Sequence, residues 1–295
     1  MLTGSSKSDW IKKFVITLSI LVAFVFLFIT CYKAPVTGRS QLILFSQEQV
    51  AEMGVAAFQQ VLEEEDISHN PEYNQAVRAV GSRIVRVSDT PDSSWDYRVI
   101  KDDDMVNAFA LPGGKIGVYT GILPVAKTHA GLATVMGHEV AHVAANHGAE
   151  RMSAGLLAQL GAVGLGVALG NQDPDVLNAV MQAFGLGVNV GALLPFSRAQ
   201  ESEADKIGLI YMARAGYDPR ESIAFWSRME EATKGMPRPP EFLSTHPGYG
   251  TRAETLKKWL PRAMYYYERS SKAPNYLIAS DVKETKGLKM ASGDD

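Results

Sequence analysis

Residues 138–142 read His-Glu-Val-Ala-His within a stretch of helical spacing that runs from Thr128 to about Ser153. This pentad constrains the chain more than any other feature. At about 100° per residue, histidines four apart stand one turn above each other on the same face. One helix therefore aims two imidazoles at a single point, with Glu139 about 100° round beside them. Such a pair is preorganised for two ligands of a tetrahedral metal, and the neighbouring carboxylate can take a proton from metal-bound water. The fold must then bury this polar corner and bring further ligands to it.

The only cysteine is Cys31, which excludes an internal disulfide framework, a cysteine-ligated zinc site and an iron–sulfur cluster. The metal is expected to be one Zn2+ per chain, held by His, Asp or Glu, with a third protein ligand and a fourth position open to water. His129 and His147 each lie nine residues from His138, about 180° round a straight helix, so neither reaches the same ion. His69 stands in a loop before a distant helix. The segment Ser197–Asp205 (SRAQESEAD) offers carboxylates on a second predicted helix. Glu201 and Asp205, at i and i+4, share a face, whereas Glu203 is about 200° away from Glu201 and looks elsewhere. Glu201 is the candidate third ligand, and Asp205 the acceptor for the far nitrogen of a ligand histidine.

Local signals place the remaining elements. Ser46 opens a capping box, followed by Val50, Met53, Val55, Phe58 and Val61 at helical spacing, which predicts a helix over 47–64. Asn70-Pro71-Glu72 caps a helix to about Val87, with Ala76, Val80, Ile84 and Val87 inward. Trp95–Ile100, Met105–Leu111 and Lys115–Thr120 read as strands, the last two joined as a hairpin through Pro112-Gly113-Gly114. Further helices are expected over 200–215, 222–233 and 251–259. The fold class is α+β and mostly helical, with a small sheet. The acidic Asp102-Asp103-Asp104 and the Pro-Gly-Gly turn mark Asn107–Leu111 as an edge strand, so Asn107, Ala108, Phe109 and Ala110 are candidates to pair with an extended peptide.

Phe14 to Thr30 carries no charge and Cys31 extends it, close to the length that crosses ~30 Å of hydrocarbon. Lys7, Lys12 and Lys13 precede it, placing the N-terminus in the cytoplasm and the bulk of the chain outside. Two readings stand: a spanning helix, or a signal segment ending at a lipidated Cys31. Removing residues 1–40 is expected to leave an active soluble protein. Ala154–Gly170 and Val176–Pro195 are apolar and small-residue rich; core helices, a cover over a groove and a membrane hairpin are all compatible with them. The net charge of −3 with no basic run gives no footprint for nucleic acid, and Pro112–Lys115 lacks the spacing of a phosphate loop.

Taken together, HExxH at 138–142, Ser-Arg-x-x-Glu-x-x-Ala-Asp at 197–205 and Ser-Thr-His-Pro-x-x-x-x-Arg from Ser244 to Arg252 resemble a known family. It is the membrane-associated zinc metallopeptidase family that contains the CAAX prenyl endopeptidases, and the likeness is strongest to its bacterial periplasmic and mitochondrial Oma-type branch. Pro35-Val36-Thr37-Gly38-Arg39, Asn107–Gly114 and Ala215–Pro219 add to the likeness, which covers about residues 35–260. It implies a gluzincin-like domain with His138, His142 and Glu201 as zinc ligands, Glu139 as general base and Asp205 behind the ligands. It also implies that His246 and Arg252 lie near the metal, Arg252 available to stabilise an oxyanion. His246 either closes the open coordination position or steadies the transition state.

The expected organisation is an anchor or signal segment over 1–34, a metallopeptidase domain over 35–270 and a polar tail over 271–295. The expected activity is a membrane-tethered endopeptidase that acts in protein quality control on unfolded or extended proteins outside the cytoplasm. Its location would be periplasmic, on the inner membrane or, if lipidated, the outer membrane, or else the mitochondrial inner membrane. The alternative is a chaperone-like or binding module with a closed or structural zinc site.

Overall fold

The computed structural model describes residues 30–90, 92–168, 197–233, 242, 246 and 252–278. The apolar run up to residue 29, Val176–Pro195, the Pro237–Pro240 loop, residues 247–250 and the tail from Asp281 lie outside them. No helix among the described residues is long and apolar enough to cross a membrane.

The end of the apolar run is not helical. Thr30–Lys33 forms strand β1, paired antiparallel with β2 (Ser40–Ile43), Thr30 opposite Ile43 and Lys33 opposite Ser40. The intervening Pro35–Arg39 closes as a tight turn, with Gly38 N–H donating to Ala34 O at 2.9 Å and Ala34 N–H to Arg39 O at 2.9 Å. Short strands whose partner is their own neighbour leave no periodic signal, and the sequence reading has neither of them.

Helix α1 (Gln47–Glu64) starts at the Ser46 capping box, where Ser46 Oγ accepts from Gln49 N–H and the Gln49 side chain accepts from Ser46 N–H. It buries Val50 and Phe58, while Val55 of the predicted stripe faces solvent. Helix α2 (Pro71–Arg86) is capped by Asn70 and buries Ala76, Val80 and Ile84 as expected. The three-stranded sheet has the order β3 (Asp96–Ile100), β5 (Lys115–Tyr119), β4 (Ala108–Leu111). β3 runs parallel to β5, and β4 closes the predicted hairpin antiparallel at the edge. Gly113 and Gly114, at φ 79° and 77°, supply the left-handed turn that other residues resist.

After the short helix α3 (Leu123–Ala126), helix α4 (His129–Ala144) runs through the middle of the molecule, packed by α2, the sheet and the helical segments 198–214 and 220–233. Leu132, Val135, Met136 and Val140 are buried on different sides of it, as expected of a helix with no solvent face. Burying each such side chain contributes about 1.5–3 kcal/mol. The segment 271–278 covers the helix start: His129 N–H donates to Tyr276 O at 3.0 Å, and Ala130 N–H to Asn275 Oδ1 at 2.9 Å. Donors that a helix cannot satisfy internally are thus met.

The single helix expected to reach Ser153 is two. Asn146 takes φ 51°, and α5 (His147–Ala168) restarts in a new direction; asparagine is one of the few side chains that tolerates this conformation. Helix α6 (Arg198–Arg214) carries the Ser197–Gln200 capping box. It crosses α4 closely, and α7 (Arg220–Thr233) and α8 (Arg252–Arg269) pack behind. Helix α8 runs well past the predicted end at residue 259, through Pro261. Packing on α6, including Arg214 over the Tyr266 ring at 4.8 Å, outweighs the proline.

Candidate metal centre

Helix α4 presents His138 and His142 one turn apart, both buried, with their Nε2 atoms 3.0 Å from each other. Helix α6 brings Glu201 to the same point: Oε1 lies 3.3 Å from His142 Nε2 and Oε2 lies 3.4 Å from His138 Nε2. The fourth group is His246, whose Nδ1 is 3.3 Å from His138 Nε2 and 3.0 Å from Glu201 Oε1. One donor atom from each of the four lies within 4.8 Å of the others.

The spacing fits an ion. Zinc with bonds of ~2.0–2.1 Å to nitrogen and oxygen holds tetrahedral donors about 3.3 Å apart; the close contacts among these atoms run from 3.0 to 3.4 Å, and one donor from each residue lies within 4.8 Å of the rest. The chemistry fits as well: imidazole and carboxylate, no thiolate, and a Glu201 Oε2 that is buried and accepts no hydrogen bond.

Each flank of the centre is braced. Asp205, one turn after Glu201, stands 3.1 Å from His138 Nδ1. Arg252 donates to Asp205 through Nε at 2.9 Å and Nη2 at 2.6 Å, approaches Glu201 Oε2 at 3.1 Å, and stacks on Trp226 at 3.7 Å. Its hydrogen bonds go to the Asp205 carboxylate and, through Nη1 at 3.3 Å, to the His246 carbonyl, while Glu201 is an ion-pair contact and Nη2 also lies 3.1 Å from His138 Nδ1. Glu139 is buried beside the group, its Oε1 3.5 Å from His246 Nε2, and the Ala110 amide of β4 hydrogen-bonds its carboxylate.

Electrostatics favour positive charge at the centre. Burial would raise the carboxyls of Glu201 and Asp205, but the facing His138 and Arg252 respectively outweigh it and hold both low. Burial and Arg252 work against a charged His138, yet Glu201 and Asp205 overcome them and push it up to about 9. Burial keeps His142 well below the usual imidazole range. Burial also raises Glu139, which leaves its carboxylate more basic than an exposed one.

His138, Glu139, His142, Glu201, Asp205, His246 and Arg252 therefore converge. Ala108 to Ala110 lie on edge strand β4 next to them, while Asn107 precedes the strand, its carbonyl accepting from Tyr119 N–H at 3.1 Å. His69 is exposed, and His129 stacks edge-on with Tyr276 away from the centre. His147 is no ligand, but not for the geometric reason given above: after the Asn146 break it turns back and sits 2.9 Å from His142. The sequence reading missed His147 and its partner Glu203; the asparagine is the one signal that could have exposed the break.

Comparison with known proteins matches residues 71–260 to the family model "Peptidase family M48". Among relatives, the mitochondrial metalloendopeptidase OMA1 of Schizosaccharomyces pombe is 38% identical over 239 residues, covering 80% of this chain and 68% of that one. Human "Metalloendopeptidase OMA1, mitochondrial" is 33% identical over 265 residues, covering 86% and 50%. The "Beta-barrel assembly-enhancing protease" of Escherichia coli K12 is 28% identical over 217 residues, covering 72% and 44%.

Proposed function

We propose that this chain, which belongs to peptidase family M48 and is a zinc metalloendopeptidase, holds one zinc ion through His138, His142 and Glu201 and uses Glu139 as general base. The observation that carries the assignment is the convergence of their buried donor atoms, 3.0 to 3.4 Å from one another. Zinc at this position supplies a Lewis acid and lowers the pKa of a water molecule. Glu139, made more basic by burial, would accept a proton from the attacking water and return it to the leaving amine nitrogen. Asp205 accepts from His138 Nδ1–H, which leaves Nε2 free to ligate. Arg252 anchors Asp205 and Glu201; with its donors so engaged, this role suits it better than oxyanion stabilisation. The open edge of β4, whose Ala110 amide reaches Glu139, lies where an extended substrate backbone can add as a strand. That mode selects unfolded or extended proteins with little regard to side chain.

His246 Nδ1 lies among the ligand atoms, 3.3 Å from His138 Nε2 and 3.0 Å from Glu201 Oε1, where it would compete with water for a bound zinc. The resting site is on this reading latent, and opens when His246 withdraws. The alternative of a closed zinc site in a chaperone-like module draws on the same contact, but leaves Glu139 without a purpose.

The peptidase domain, expected over 35–270, would also take in strand β1 and residues 271–278, which pack against it, with the apolar run at 14–31 as the membrane attachment, by a span or a lipid on Cys31. The compartment would be the periplasm or the mitochondrial inner membrane, with misfolded proteins as substrates. This follows the apolar run at 14–31 and the mitochondrial and barrel-assembly relatives. Zinc analysis and casein cleavage test the assignment. Glu139→Gln should keep zinc and lose ~100-fold or more in rate, and His246→Ala should raise basal cleavage. Near-normal turnover in Glu139→Gln would refute the mechanism, and a slower His246→Ala at full zinc would assign His246 to the transition state instead.

A further inference from the structure

His147 is fully buried at the start of α5, directly after the Asn146 break. Its ring meets that of His142 edge-on, with the two Nδ1 atoms 2.9 Å apart, and its Nε2 lies 3.0 Å from Glu203 Oε2. Glu203 is held in turn by the β1–β2 turn. The Thr37 hydroxyl donates to Oε1, and Arg39 Nε donates to Oε2 at 2.7 Å. The two Nη atoms of Arg39 grip Glu150 at 2.6 and 2.8 Å, in the bidentate geometry that fixes both planes. Glu203 and His147 thus link the Pro35–Arg39 turn to His142.

The donor and acceptor roles along this line follow from its far end. A carboxylate that receives a guanidinium and a hydroxyl accepts from His147 too, so His147 carries its proton on Nε2. A neutral imidazole protonated there has only a lone pair at Nδ1. His142 must therefore donate from Nδ1, since two lone pairs would otherwise face each other at 2.9 Å. The His142 lone pair is then at Nε2, the atom that faces Glu201 and His138.

We propose that His147 is a positioning residue for the metal centre: anchored by Glu203 and the Thr37–Arg39 turn, it sets the tautomer and ring orientation of His142. His138 obtains the same service directly from Asp205, whereas His142 obtains it through a second histidine tied to the N-terminal hairpin. The inference rests on the reading of His142 as a zinc ligand.

The test uses the full-length chain in detergent. Zinc affinity is measured against a competing chelator for wild type, His147→Leu, His147→Asn and Arg39→Gln, and the zinc-loaded, 15N-histidine-labelled wild type is examined by NMR. His147→Leu should bind zinc ~10–100-fold more weakly, the usual cost of losing such a partner. His147→Asn, whose amide oxygen can accept the His142 proton, should recover most of that. Arg39→Gln, one link further out, should lose about tenfold or less. NMR should find His142 protonated at Nδ1 and His147 protonated at Nε2 alone. Zinc affinity within twofold of wild type in a folded His147→Leu, equal losses in the Leu and Asn variants, or a doubly protonated His147 would each overturn the proposal. If His147→Leu does not fold, Arg39→Gln and the wild-type NMR decide. A wild-type chain that binds no zinc would instead remove the metallopeptidase mechanism itself.

Discussion

Gly208 on α6 faces Gly137 on α4, and this contact sets how closely the two ligand-bearing helices approach. A Cβ at Gly208 would lie 2.8 Å from Gly137 C and from His138 N, both backbone atoms that cannot rotate away. Ordinary carbon contacts begin near 3.5 Å, so Gly208→Ala should push the helices apart by about 0.7 Å. Glu201 sits two turns before Gly208 on the same face of α6 and moves with it, away from His138 and His142. A metal site tolerates deviations of about ±0.2 Å, so the carboxylate falls out of reach of an ion that the histidines hold. Overpacking costs about 1–3 kcal/mol, and replacing a mid-helix glycine by alanine returns about 0.8–1 kcal/mol. The net loss of stability is then about 0–2 kcal/mol, a fall in Tm of no more than ~8 °C. Zinc affinity should fall tenfold or more, ~1.4 kcal/mol or above, and kcat/KM with it. Gly137→Ala should do the same more mildly, because its Cβ comes no nearer than 3.0 Å to Gly208 O. Chelator competition and casein cleavage on the folded variants decide. Wild-type affinity in Gly208→Ala, or a larger loss in Gly137→Ala, would refute the reasoning.

Three further outcomes follow from the packing. A Cβ at Gly155 in α5 meets nothing within 4 Å, so Gly155→Ala should stabilise the protein by about 0.5–1 kcal/mol in urea melts without changing turnover. Burial opposes but His147, Thr37 and Arg39 hold the Glu203 carboxyl down at about 2, against 4.5 unfolded. This pairing stabilises fully above pH 4.5 and is lost as pH falls from there towards 2; acid melts of Glu203→Gln should have a shallower limb, and an unchanged limb would contradict the pairing. Finally, deleting residues 2–29 should leave the peptidase active. Deleting residues 2–40, which the sequence alone suggested was harmless, removes Ala34, Thr37 and Arg39 from their buried contacts and should cost stability and zinc; equal behaviour of the two truncations would refute this.

What the sequence determined by itself is what neighbours along the chain decide. The caps at Ser46, Asn70 and Ser197 are satisfied by backbone amides two or three residues on. The His138/His142 and Glu201/Asp205 pairs need only the helical repeat to share a face, and Gly113-Gly114 needs only its own backbone freedom to close the β4–β5 hairpin. The fate of Arg252, bound to Asp205 and paired with Glu201, was decided by tertiary structure, as was the placement of His246 Nδ1 3.3 Å from His138 Nε2. So were the persistence of α8 beyond Pro261, which rests on contacts with α6, and the return of His147 to His142. A break of one residue at Asn146 costs little locally, but it redirects everything after it. Asn146 permits the break locally, but where α5 then goes depends on its packing against the β1–β2 hairpin, a contact between segments about a hundred residues apart.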